Sequence, residues 1–168
     1  MKLAVISDSH DHKNNIIKAV SIINKRNADA LVHCGDYISA FVFRWFDGLN
    51  DSIKERFYGI YGNNDGDRVF LKENLGQICK LVGMELISEF DGKRVFASHM
   101  PNQETIDAIA NSGKFDIILY GHTHAVINKK YDNGVLVVNP GECCGYLSGK
   151  STFAIIDTEK MKAEIIEL

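Results

Sequence analysis

Read from its amino terminus, the chain sets short apolar runs between amphipathic stretches. Leu3-Ala4-Val5-Ile6 is short, partly β-branched and closed by Ser7-Asp8, the profile of a buried strand. Over residues 14–27, Ile16, Ile17, Ala19, Val20 and Ile23 gather on one face, which predicts an amphipathic helix. Ala30-Leu31-Val32 reads as a second buried strand running into Cys34-Gly35-Asp36. Phe43, Trp45 and Phe46 mark another helix, and a third strand is expected over 57–61, stopping at Gly62-Asn63-Asn64-Asp65.

The second half changes period. Residues 85–90 and 93–97 flank Asp91-Gly92, a dipeptide that favours a tight hairpin turn. A helix is expected over 103–112 and a buried strand over 116–120. Residues 125–131 and 135–139 flank Asp132-Asn133-Gly134, and strands over 152–157 and 162–166 close the chain. Early βαβ units followed by hairpins predict an α/β fold: two mixed sheets face to face, flanked by helices and holding about ten strands. No linker or repeat interrupts the pattern, so residues 1–168 are expected to form a single domain.

Composition narrows the function. The chain has 168 residues, 45% hydrophobic and 24% charged, enough for a core without disulfide or metal staples. With 19 basic and 22 acidic residues the net charge is −3, too little basic surplus for a general nucleic-acid binder. The apolar run at the start is too short for a signal peptide, and no stretch is long enough to span a bilayer. A cytoplasmic location with reduced thiols is the expectation. Cys34, Cys79, Cys143 and Cys144 have no zinc-ribbon spacing, and Cys34 belongs to the core.

Chemistry-bearing residues gather where strands end. Asp8-Ser9-His10, Gly35-Asp36, Gly62-Asn63-Asn64-Asp65, His99 and Gly121-His122-Thr123-His124 each follow an expected strand. Loops beyond the carboxyl ends of strands in open α/β sheets meet in one crevice. Five loops thus bring Asp8, His10, Asp36, Asn63, His99, His122 and His124 together. Carboxylate, amide and imidazole donors suit Mn, Fe, Co, Ni or Zn rather than calcium. Seven are too many for one tetrahedral ion. If Asp36 bridges, they divide over two ions about 3.5–4 Å apart, the spacing of two-metal hydrolases. Glycines before Asp36, Asn63 and His122 let the backbone turn and approach.

In this order of motifs the chain resembles the calcineurin-like metallophosphoesterase superfamily, and in its small size and the stretch from Asn139 to Tyr146 its compact prokaryotic and archaeal members. The resemblance implies a four-layer α/β/β/α sandwich and a phosphodiesterase acting on a small phosphoester. It implies one ion on Asp8, His10, Asp36 and His124 and a second on Asp36, Asn63, His99 and His122, with manganese or nickel favoured. A hydroxide between them is then the nucleophile. Two departures stand out. Asn64 occupies a place where many members have histidine, and His99-Met100-Pro101 replaces a frequent His-Gly-His. Neither Asn64 nor Met100 can supply a proton to a leaving group.

Around this set, Asn64 and Arg68 are candidates for substrate phosphate contact. Asp65 is expected to orient Asn63 or Asn64. His12 reads as a solvated residue or helix cap and His33 as a structural hydrogen-bonder. Phe41, Phe43, Trp45 and Phe46 are open between core, substrate wall and subunit contact, which leaves a homo-oligomer open. Two other classes stay open. A protein-interaction scaffold of the same fold has a degraded metal site, unlike the full set of seven here. Double-strand-break nucleases that share the signature are longer and more basic.

Overall fold

The structure is a computed structural model that describes residues 1–168. In chain order its strands are β1 (Lys2–Ile6), β2 (Ala30–His33), β3 (Phe57–Gly59), β4 (Lys80–Leu81), β5 (Glu85–Phe90), β6 (Lys93–Ser98), β7 (Ile117–Leu119), β8 (Val126–Lys130), β9 (Leu136–Pro140), β10 (Thr152–Asp157) and β11 (Lys162–Glu167). The helices are α1 (Lys13–Lys25), α2 (Phe43–Phe46), α3 (Asp51–Lys54), α4 (Arg68–Leu75) and α5 (Gln103–Asn111), with a 3₁₀ turn at Ala40–Val42.

Period-two alternation explains the layers. In β1, Leu3 and Val5 enter one apolar cluster while Ala4 and Ile6 enter another. The first cluster lies between the sheets, where Leu3, Val5, Ala30 and Val32 of one meet Val95, Ala97, Ile117, Leu119, Leu136 and Val138 of the other. The second packs the outer face of the first sheet on Ile16, Ala19, Val20 and Ile23 of α1 and on Phe46, Ile53, Leu71 and Leu75 of α2 to α4. A third packs Phe96, Ile118 and Val137 on Ile106 and Ala110 of α5. The result is the expected α/β/β/α sandwich.

One sheet runs β11-β10-β1-β2-β3-β4 and the other β5-β6-β7-β9-β8. Both are mixed. Strands β1 to β4 are mutually parallel, as are β6, β7 and β9, while β10, β11, β5 and β8 pair antiparallel at the flanks. The parallel strands of each sheet therefore release their loops at one edge. There are eleven strands rather than ten. The extra one, β4, has two residues, too few to leave a periodic trace. The strand expected over 57–61 stops at Gly59, and α4 had no counterpart in the sequence reading. No helix is long and apolar enough to cross a membrane.

Candidate metal centre

The seven expected ligands leave the carboxyl ends of β1, β2, β3, β6 and β7. To aim inward, the backbone bends into the left-handed region at five of them: Asp8 (φ 51°), His10 (41°), Asp36 (60°), His122 (64°) and His124 (57°). Non-glycine residues there cost on the order of 1 kcal/mol each, and such residues cluster at functional sites. Glycine matters here chiefly as missing volume. A Cβ on Gly62 would lie 2.0 Å from Asp36 Oδ1, and one on Gly121 would lie 1.9 Å from Ser7 Oγ.

The side chains converge. His10 Nε2 is 3.8 Å from Asp8 Oδ1 and 3.5 Å from Asp36 Oδ2. His99 Nε2 is 3.4 Å from Asp36 Oδ2 and 3.1 Å from Asn63 Oδ1. His124 Nε2 is 3.3 Å from Asp8 Oδ1. The His99 and His122 rings lie 5.4 Å apart, and those of His10 and His124 5.3 Å. Donor atoms at metal bonds of about 2.0–2.2 Å sit this far from one another across a shared cation. Asp8 Oδ1 and His10 Nε2 are buried and have no hydrogen-bond partner. Buried polar groups are rarely left so. The set fits divalent cations on that ground.

Two imidazoles are locked from behind. His99 Nδ1 donates to the Cys34 carbonyl at 2.7 Å, and His124 Nδ1 to Glu142 Oε2 at 2.7 Å. Each bond fixes the ring and turns Nε2 toward the centre, the arrangement typical of metal-bound histidines. Glu142 was missed by the sequence reading. It follows β9 as Asp36 follows β2, with a glycine before it, and that repeated pattern is the signal that could have found it. Its buried carboxylate also accepts the Cys144 thiol and the backbone N–H groups of Tyr146, Leu147 and Ser148. Burial alone would raise its pKa. Hydrogen bonds from Cys144, Ser148 and His124 outweigh burial and hold it at about 2.

Asp65 corrects an expectation. Its carboxylate accepts from the backbone N–H groups of Asp36, Tyr37, Ile38 and Gly62, so it braces the Asp36 loop rather than orienting Asn63 or Asn64. Four N–H groups of two tight loops point at one carboxylate, a stronger demand than either amide makes. Asn64 donates to both oxygens of Asp36, at 2.9 Å from its backbone and 2.7 Å from its side chain. Arg68 donates to the Gly62 carbonyl at 3.0 Å and lies over the Tyr61 ring. His12 caps α1 by accepting from Asn15 N–H, and His33 bonds Ser9 and Gly35. Phe46 is core, Phe43 and Trp45 are half-buried against it, and Phe41 is exposed beside Phe70.

Charge follows geometry. Burial would raise the Asp36 carboxyl, but bonds from His99 and Asn64 hold it well below the carboxylate range. His10 is raised by the Asp8 carboxylate facing it and then by Asp36, against burial. Burial lowers His99, but Asp36 and Asp8 outweigh it and leave it raised. A separate cleft of about 440 Å³ lies at the other end of β1, around Lys2, Arg26 and Lys160, and has no part in this centre.

Comparison with known proteins agrees with this architecture. The profile of the calcineurin-like phosphoesterase superfamily domain matches residues 1–161. The chain belongs to the calcineurin-like phosphoesterase superfamily. Within it, the chain is 42% identical over 170 residues to phosphodiesterase MJ0936 of Methanocaldococcus jannaschii, covering 100% of this chain and 99% of that one. A solved archaeal phosphodiesterase superposes with a TM-score of 0.91 at 42% identity over 100% of both chains. The Escherichia coli phosphoesterase Yfce gives 0.70 at 15% identity over 99% and 98% of the two chains. Vps29 from Chaetomium thermophilum gives 0.71 at 13%, over 99% of this chain and 95% of that one. The last two show a shared sandwich only.

Proposed function

We propose that residues 1–168 act as one metal-dependent phosphodiesterase domain, hydrolysing a small phosphoester. The observation that carries this is the pair of buried, unpartnered atoms, Asp8 Oδ1 and His10 Nε2, facing Asp36, His99 and His124. A scaffold would gain nothing from such a pair, and it costs the fold stability. Asp8, His10, Asp36 and His124 would hold one ion, and Asp36, Asn63, His99 and His122 a second. Once bound, such ions supply Lewis acidity toward phosphoryl oxygens and acidify water. Full-length identity to a protein named as a phosphodiesterase supports the diester preference.

The chain's own residues do the rest. Asp36 faces both ligand groups, and the Nδ1 bonds of His99 and His124 keep their Nε2 atoms pointed inward. Asn64 would hand its side-chain N–H from Asp36 to a phosphoryl oxygen, and Arg68 keeps a positive charge beside the Asn63 loop. Neither gives up a proton at neutral pH. Four free, buried cysteines support a reducing compartment such as the cytoplasm. The test is hydrolysis of an activated aryl diester and its monoester by manganese- or nickel-loaded protein, with and without chelator. Faster diester hydrolysis abolished by chelator is expected. A protein inert to both esters in every metal, or indifferent to chelator, overturns the proposal.

A further inference from the structure

One departure from the family pattern, Met100, is not used by the chemistry above. It lines a small cavity of about 160 Å³ with Asn63, Met84, Glu85, Ser98 and His99. Two walls of that cavity are expected metal ligands. Its other large side chains are two exposed methionines, Met84 (49% exposed) and Met100 (57%). Their closeness follows from register. Glu85 pairs with Ser98 across β5 and β6, so the residue before β5 and those after β6 share one edge. Exposed methionines at the lip of a polar site are costly to hydration and useful for contact, because a thioether adapts its shape and packs on aromatic edges.

We infer that the Met84–Met100 cavity is the subsite for an uncharged single aromatic ring carried by the phosphoester. This rests on the phosphoesterase reading above and specifies its substrate class. Size supports one ring: an apolar cavity of about 150 Å³ is large enough for benzene. Charge supports a neutral one. The Glu85 carboxylate stands at the lip and opposes a second phosphate or a carboxylate there, while it and the Ser98 hydroxyl can bond a ring N–H or hydroxyl. Position supports a substrate, since His99 and Asn63 join the cavity to the phosphoryl position. A polyphosphate would meet no lysine or arginine on these walls, and a sugar would leave the two methionines without an apolar partner.

The experiment is calorimetric titration of metal-loaded protein with phenylphosphonate and with methylphosphonate, at a pH where both are dianions. Neither is hydrolysed, and they differ only in the ring. Partial burial of one ring predicts phenylphosphonate binding about tenfold tighter. In the Met84→Gln/Met100→Gln variant the ratio should fall to within about twofold, while methylphosphonate affinity stays unchanged. The Met84→Leu/Met100→Leu variant should keep most of the preference. Both side chains are exposed, so folding is not at stake. Equal affinities in the unmodified protein, or a preference that survives the glutamines, overturns the subsite alone. Failure of methylphosphonate to bind at all overturns the phosphoesterase reading and the subsite with it.

Discussion

The two sheets contribute different chemistry to the same edge. The β1-β2-β3 side delivers Asp8, Asp36 and Asn63, three oxygen donors, with His10 as its one imidazole. The β6-β7-β9 side delivers His99, His122 and His124, together with Glu142 behind His124. Neither sheet alone assembles a complete set. The centre exists because the apolar cluster between the sheets holds the two carboxyl edges at a fixed separation. Inter-sheet packing is therefore part of the ligand geometry.

The largest effect is expected at the residue that faces both groups. Asp36→Ala should remove bound metal and chelator-sensitive activity together, as read by elemental analysis and diester hydrolysis. Next is Glu142→Ala, which frees His124 and strands the N–H groups of Tyr146, Leu147 and Ser148. A loss of about 10–100-fold in metal affinity is expected, with partial recovery in Glu142→Gln, measured by competition with a chromogenic chelator. A sharper test of the inter-sheet idea pairs Leu119→Ala with Ile118→Ala. Both residues are buried in β7, Leu119 between the sheets and Ile118 against α5. Each should cost about 2–4 kcal/mol in denaturant unfolding, but only Leu119→Ala should also weaken metal binding. Equal metal affinity in the two variants breaks the comparison.

Acidity has gentler effects, and on both sides. Glu142 sits at about 2 against an ordinary 4.5. In ion-free protein it contributes stability that is fully present above pH 4.5 and is lost as pH falls toward 2. His10 and His99 are raised above 6.5, so their contribution is present below that pH and disappears as pH climbs through their folded values. Metal binding must expel those protons, so affinity should rise as pH climbs above 6.5, with measurable proton release. The smallest effect is expected from Asn64→His. It should speed alkyl diesters more than aryl ones, seen as a weaker dependence of rate on leaving-group pKa.

Much of the centre was legible because its grammar is local. An apolar run, a glycine, then a carboxylate or imidazole recurs at β2 and β7, and the two sheets follow from period-two burial. What escaped has physical reasons. Asp65 looked like a partner of its neighbours, yet its bonds reach back 27 to 29 residues to Asp36, Tyr37 and Ile38. Glu142 lies 18 residues beyond His124, and only the parallel pairing of β7 with β9 brings it behind the ring. The left-handed backbone at Asp8, His10 and Asp36 is imposed by convergence, and the preference of Asp and His for that region is too weak to announce it. Strand β4 is too short for any period.

The central claim, a pair of divalent ions shared across the two sheets, is tested most directly by metal stoichiometry. Chelator-treated protein would be titrated with Mn²⁺ and the bound metal counted per chain, in the unmodified protein and in His99→Ala. The account predicts two ions per chain falling to one, with the Asp8, His10, Asp36 and His124 group still filled. One ion or none in the unmodified protein, or two retained in His99→Ala, would contradict it.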